Sequence, residues 1–391
     1  MKNVSQKKLI NLNNTNIFLN ELACKKRIAS KAKIVAITGS AGKTSVKEML
    51  GALLNNFSNT YFSPKSYNNH YGVPISLSNL EFNHCYGVFE IGMSKPGEIK
   101  NLSKLVKPDI AIITNIAEAH IENFSNLKGI ARAKSEIIDY IKKDGTLIIN
   151  RDDIFFDYLS VLAKKKKIKI VSFGLSNKAD VRLLSIKKLK NEKVFKIKVI
   201  NKIYYLKAND INIHNILSSL AVLKIFNLDI KKIIKFFQFL KPLSGRGKIH
   251  NIFRYKEKFN LIDESYNANP LTMKNAIIRL SNIKRNNCKK YLLLGDMLEL
   301  GNKSNFHHKN LSRIINNADI DKVFVYGNKI LKTFRDINKN KKGDILEYTQ
   351  DFDGMFSKII KKNDYLMIKG SNATGLNKLS NKLIKGKLNV I

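Results

Sequence analysis

Ile34-Val35-Ala36-Ile37-Thr38-Gly39-Ser40-Ala41-Gly42-Lys43-Thr44 decides how the rest of the chain is read. A β-prone run enters a glycine turn, and Val46, Met49, Leu50, Leu53 and Leu54 then recur at helical spacing. Strand, glycine turn and helix start is the order a phosphate loop requires. Glycines let backbone N–H groups approach phosphate oxygens, and the helix N-terminus adds partial positive charge. Thr38, Gly39, Ser40, Ala41, Gly42, Lys43 and Thr44 are therefore expected to cradle a nucleotide, with Lys43 reaching the β and γ oxygens and the Thr44 hydroxyl placed to ligate Mg²⁺. The fuller phosphate-loop pattern has a glycine five residues before Gly42, where this chain has Ile37. For so short a match an ordinary strand-to-helix turn is the plain alternative.

Outward from this loop, residues 34–38, 87–91, 110–114, 146–149 and 168–173 read as buried strands alternating with amphipathic helices. That rhythm implies an α/β fold, a mainly parallel sheet covered on both faces. Between 181 and 207 apolar and basic residues alternate, as at Val194, Phe195, Ile197 and Val199, so antiparallel hairpins should extend the sheet's edge. Helices follow over 213–226 and 230–240, then Pro242 and the Gly245-Arg246-Gly247 turn mark a boundary. Strands at 260–263, 291–294, 322–326 and 365–368 predict a second, Rossmann-like α/β domain. The expected division is a short N-terminal segment over 1–33 with one short helix at 17–23, a central ATP-binding domain over 34–242 and a C-terminal domain over 243–391.

A length of 391 residues suits two or three domains. No apolar run approaches the roughly 20 residues of a membrane span. Lysines Lys2, Lys7 and Lys8 lead into polar sequence, so no signal-peptide core follows. Cys24, Cys85 and Cys288 are too few and too scattered for a disulfide framework, which points to the reducing cytoplasm. The net charge of +39 would suit nucleic acid, but 60 of the 70 basic residues are lysine and they are spread along the chain. Base readers favour the bidentate fork of arginine. Nucleic acid is not expected as the partner; anionic substrates are.

Further segments, taken in order, resemble the Mur ligases, and within them the MurF branch, which adds D-alanyl-D-alanine. Thr38-Gly-x-x-Gly42-Lys43-Thr44 is similar to that family's ATP loop. Asn68-Asn69-His70-Tyr71-Gly72-Val73-Pro74, Glu90-Ile91-Gly92-Met93, Thr114-Asn115-Ile116 with Ala119-His120, and 131–137 continue the likeness. So do His214-Asn215, Gly245-Arg246, Asp263-Glu-Ser-Tyr266-Asn267-Ala-Asn269-Pro270 and Gly295-Asp296-Met297-Leu-Glu299-Leu300-Gly301. The likeness covers about residues 34–376.

The resemblance implies an enzyme that activates a carboxylate with ATP as an acyl phosphate and couples it to an amine. It implies two Mg²⁺ ions held by Thr44, Glu90, His120 and Lys134, with Lys134 carbamylated by CO₂ into an anionic oxygen ligand. Alone, Glu90 would be a solvated strand end, His120 a satisfied polar residue and Lys134 a solvent-facing helix lysine. It further implies that Asn215 meets the adenine, Arg246 the γ-phosphate and Asp263 the ribose, and that Tyr266, Asn267 and Asn269 line the cleft. A helix N-cap is the plain reading of Asn215, an exposed turn that of Arg246, and neighbouring Glu264 could take the place of Asp263. Lys43, His120, Lys134 and Arg246 would then be the catalytic set. The implied partners are peptidoglycan precursors met by a monomer, with another Mur-type, cyanophycin-like or folate-type substrate as the alternative. Three positions depart from the pattern. Only about 33 residues precede the ATP domain, where the family holds the UDP-sugar end of its substrate. Ser218 stands where His-Asn-x-x-Asn ends, and Asn372 follows Lys369-Gly370-Ser371 where the branch has arginine.

Overall fold

A computed structural model describes residues 14–189, 192–347 and 352–385. Lys2, Lys7 and Lys8 lie outside them. The first sheet has nine strands among the described residues: β1 (Lys33–Thr38), β2 (Thr60–Phe62), β3 (Tyr86–Glu90), β4 (Ile110–Ile113), β5 (Thr146–Asn150), β6 (Lys169–Gly174), β7 (Val181–Lys188), β8 (Lys193–Val199) and β9 (Lys202–Lys207). They are ordered β2-β3-β1-β4-β5-β6-β7-β8-β9. Pairing is parallel from β2 to β7 and antiparallel across β7-β8-β9, so the basic hairpins extend one edge. The second sheet is ordered β10-β11-β15-β12-β13-β14, with β10 (Lys248–Arg254), β11 (Glu257–Glu264), β12 (Lys290–Gly295), β13 (Lys322–Tyr326), β14 (Lys342–Leu346) and β15 (Tyr365–Lys369). It is parallel except for β10.

The strand order positions the site. β1 pairs with β3 on one side and β4 on the other, so successive crossovers leave it in opposite directions. A crevice opens at the carboxyl ends of strands where the order reverses in this way. Ile37 lies opposite Glu90 and Thr38 opposite Ile113, which brings the glycine loop, the Glu90 carboxylate and the Thr114-Asn115 turn together.

Helices α1 (Thr15–Ala29), α2 (Lys43–Leu54), α3 (Gly72–Ser78), α4 (Glu98–Val106), α5 (Leu127–Ser135), α6 (Phe156–Lys165), α7 (Ile213–Ile225), α8 (Ile230–Ile233) and α9 (Pro270–Ser281) supply most of the cover around the site. Buried Val46, Leu50, Leu53 and Leu54 of α2 and Leu217, Leu220 and Leu223 of α7 share one core with β1, β3 and β4. The helix expected at 230–240 is α8 followed by a 3₁₀ turn over Ile234–Phe239, where Phe236, Phe237 and Phe239 weaken α-helical propensity. The short helix expected at 17–23 is the longer α1, and Ala23 on it packs with Val73, Leu77 and Leu80. Arg27, also on α1, is buried and donates to the carbonyls of Val106 (2.6 Å) and Lys107 (2.8 Å) at the end of α4. It thereby satisfies carbonyls that a helix C-terminus leaves open.

Arg27→Ala should therefore lower stability by about 2 kcal/mol, the scale of losing charge-assisted bonds to buried carbonyls. Urea denaturation followed by circular dichroism reads this, and an unchanged midpoint would contradict the capping role.

Candidate active site

The phosphate loop is held by its neighbours on every side. Gly39 has φ 145°, and a Cβ there would lie 1.9 Å from Thr114 Oγ1, so only glycine fits. Thr114 Oγ1 donates to the Ala41 carbonyl at 2.6 Å, and Asn115 brackets the same residue, accepting from its N–H and donating to its carbonyl, each at 3.0 Å. Ser40 Oγ donates to the Ala117 carbonyl at 2.7 Å. Gly42, at φ 85°, turns the chain into α2 without a side-chain cap. The first amides of α2 thus remain available to an anion.

Lys43 Nζ curls back to the Gly39 carbonyl at 2.8 Å. Burial pushes its pKa down, Glu90 pulls it back up, and Arg246 adds to the lowering. Thr44 Oγ1 donates to Glu90 Oε2 at 2.6 Å and Asn68 Nδ2 to Oε1 at 2.6 Å. Glu90 itself is buried at the end of β3. A hydroxyl and a buried carboxylate in contact are hard oxygen donors of the kind Mg²⁺ takes. Lys134, on α5, is also buried, and burial first, then the charge of Lys43, holds its amine well below the ordinary lysine pKa. His120 lines the same cavity as Thr44 and Glu90, with its Nδ1 2.6 Å from Glu299 Oε2. Among the described residues no three His, Cys, Asp or Glu side chains form a metal cluster.

The other wall comes from the second sheet. Arg246 lies in the Gly245-Arg246-Gly247 turn, whose glycines have φ 72° and 95°. Its guanidinium sits 4.2 Å over the Tyr266 ring and donates to Ser66 Oγ at 3.3 Å. Tyr266 Oη donates to the same Ser66 Oγ at 2.8 Å, and Ser66 lies 3.4 Å from Thr44 Oγ1. Ser66 therefore joins the two walls beside the phosphate loop. Only its place two residues before Asn68-Asn69 hints at this in the sequence. Asn269 caps α9 through a reciprocal pair with Thr272 and reaches the Ser40 carbonyl at 3.3 Å. Between these walls lies a cavity of about 2090 Å³ lined by Ser40 to Thr44, Glu90, His120, Asn215, Arg246, Tyr266, Asn267 and Asn269.

Several placements differ from the sequence reading. Asp263 does not line the cavity. It is buried, with Oδ2 accepting from Gly245 N–H (2.6 Å) and Ser244 Oγ (3.2 Å) and Oδ1 from Ser265 Oγ (2.6 Å). Two filled oxygens leave it holding the Arg246 turn, while Glu264 faces the cavity. Thr38, Gly39 and Lys134 lie behind the lining rather than in it. The cap of α7 is Asn212, so Asn215 is free of that role, and its Oδ1 would meet a Cβ on Gly42 at 3.2 Å. Ser218 donates back to the Asn215 carbonyl at 3.1 Å. Asn372 is exposed and away from the cavity, whereas buried Lys369 lines it, donating to the Asn267 carbonyl at 3.0 Å with Glu264 Oε2 3.4 Å away.

Comparison with known proteins decides the family. Residues 37–224 match the Mur ligase middle domain, and 250–372 match the Mur ligase, glutamate ligase domain. A UDP-N-acetylmuramoyl-tripeptide--D-alanyl-D-alanine ligase of Rickettsia prowazekii is 34% identical over 95% of this chain and 82% of its own. The chain belongs to the Mur ligase family. Among solved structures, MurF of Acinetobacter baumannii superposes with a TM-score of 0.85 at 27% identity, over 96% of this chain and 82% of that one. The MurF ligase of Thermotoga maritima in complex with ADP shares the fold, with a TM-score of 0.84 at 24% identity over 99% and 87%. As a Mur ligase the chain is an ATP-dependent ligase of α/β fold with mostly parallel sheets. Among the described residues no helix is long and apolar enough to cross a membrane.

Gly39→Ala forces a strained φ and a collision with Thr114, costing on the order of 1–3 kcal/mol at the loop. Titration calorimetry should find Mg·ADP binding weakened roughly tenfold or more; wild-type affinity would show that the loop does not carry the nucleotide.

Proposed function

We propose that this Mur ligase adds D-alanyl-D-alanine to UDP-N-acetylmuramoyl-tripeptide, in the cytoplasm, through an acyl-phosphate intermediate. The observation that carries the proposal is the meeting, across one cleft, of the phosphate loop with Thr44 and Glu90 on one wall and Arg246, Tyr266 and Asn269 on the other. The relatives that bear this name supply the substrate pair.

On this reading residues 34–242 hold the nucleotide and 243–391 close over it. The backbone amides of the loop and Lys43 bind the β and γ phosphates, Asn215 faces the adenine, and Glu264 takes the ribose in place of Asp263. Thr44 and Glu90 would hold one Mg²⁺, and His120 with Lys134 a second. Burial disfavours the ammonium of Lys134, and a neutral amine can attack CO₂, release its proton and become a carbamate with oxygen donors. Bound Mg²⁺ supplies positive charge that spreads the negative charge of the transferring phosphoryl group. The substrate carboxylate attacks the γ-phosphorus and releases ADP while Arg246 and Lys43 stabilise the equatorial oxygens. The incoming amine then adds to the acyl carbon, and the tetrahedral intermediate collapses by expelling phosphate. Closure of the Ser66, Arg246 and Tyr266 contact keeps water from the acyl phosphate.

Lys43→Ala and Arg246→Ala should each lower kcat for D-alanyl-D-alanine-dependent phosphate release by roughly 10²- to 10³-fold, as removal of a charge-stabilising donor does. Lys134→Ala should abolish turnover and also a ¹³C carbamate resonance seen under ¹³CO₂. Retained amine-dependent release in all three variants would end the proposal, and turnover of the UDP-free peptide at the rate of the UDP-linked one would move the assignment to another carboxylate.

A further inference from the structure

Glu299 lies on the C-terminal side of the cleft, in the turn after β12, yet its carboxylate is 2.6 Å from Nδ1 of His120 on the other side. The pair is within ion-pair distance but not aligned as a hydrogen bond, and the buried Nδ1 has no hydrogen-bond partner among the described residues, so a small rotation of either side chain would be needed to seat the proton between them. The backbone is shaped to make it. His120 and Glu299 both adopt left-handed conformations, at φ 58° and 61°. The Glu299 carbonyl accepts from Glu122 N–H at 3.3 Å. Gly301 follows at φ 52°, where a Cβ would come 3.0 Å from Glu122 Cβ, so a side chain there would crowd the approach. Ile121 and Leu300 are buried beside the pair in a core cluster that includes residues of both sheets.

A neutral imidazole has one N–H and one lone pair, and a carboxylate takes the N–H. With Glu299 on Nδ1, the lone pair falls on Nε2, which makes no hydrogen bond to the described residues. A histidine oriented in this way by a carboxylate is the usual arrangement of a metal-ligating imidazole, and loss of such an orienting group lowers metal affinity about 10- to 100-fold.

We propose that Glu299 is a positioning residue, contributed by the C-terminal half, that fixes His120 in the Nδ1–H tautomer and presents Nε2 to the second metal. Assembly of that metal site is thereby tied to closure of the cleft, since His120 is correctly held only when the turn at 299–301 is docked against 120–122. The inference rests on the reading of His120 as a ligand, and the test separates the two.

Mn²⁺ is the probe, titrated by electron paramagnetic resonance into the full chain saturated with ADP, for wild type, His120→Ala, Glu299→Ala and Glu299→Gln. The expected result is about tenfold weaker binding of the second Mn²⁺ in Glu299→Ala, a smaller loss in Glu299→Gln, whose amide oxygen still accepts, and ADP affinity without metal equal to wild type. Weakening in His120→Ala with none in Glu299→Ala overturns the positioning role alone. No weakening in His120→Ala removes His120 as a ligand, and the proposal with it. Independently of any variant, ¹⁵N spectra of the wild-type imidazoles, assigned by difference with His120→Ala, should place the proton of His120 on Nδ1, and a proton on Nε2 overturns the proposal.

Discussion

The conformation of five residues, Thr38 to Gly42, is the constraint on which the rest depends. They can present their amides to an anion only because Gly39 has no side chain to strike Thr114 and because Thr114 and Asn115 hold Ala41 from behind. Those contacts exist because β1 lies between β3 and β4. The strand order is therefore what turns a short glycine run into a binding surface, and it also delivers Glu90 to Thr44.

Two lysines, half-buried Lys43 and buried Lys134, give the site its electrical character. Lys43 and Lys134 are both held below their ordinary pKa by burial and each lies in the field of other cations. Such crowding would be costly in a purely structural core. It suits a cavity meant to receive a polyanion, and in the proposed function the uncharged Lys134 amine is the group that takes up CO₂. The chain's net charge of +39 is a separate matter, spread along the whole sequence and, at the surface, screened within about 10 Å at moderate salt.

Much of this was legible in the sequence because the central strands announce themselves. β1, β3, β4, β5, β12 and β13 are buried along most of their length and read as apolar runs. The strands that escaped, β2, β10 and β14, are all at sheet edges; β2 has only three residues, and β10 and β14 expose part of their length, which weakens the hydrophobic signal. Within the site, the glycine-loop spacing pointed to Lys43 and Thr44 and the family resemblance to Glu90 and Arg246, all of which line one cavity, but neither could say which of two adjacent carboxylates faces it. Asp263 turns inward because the Gly245 amide and Ser265 claim it, and the Gly245 contact joins residues 18 apart. Ser66 and Glu299 escaped for a similar reason. Their importance lies in what the opposite wall brings to them, which no local pattern encodes.

The central claim is that the glycine loop, Glu90, His120, Lys134 and Arg246 surround one magnesium nucleotide. A crystal structure with Mg²⁺ and a non-hydrolysable ATP analogue tests it most directly. The account predicts phosphates on the amides of residues 39–44, a metal between Thr44 and Glu90, and Arg246 on the γ-phosphate. A nucleotide bound elsewhere, or phosphates turned away from Lys43 with Glu90 still bonded to Thr44, would contradict it.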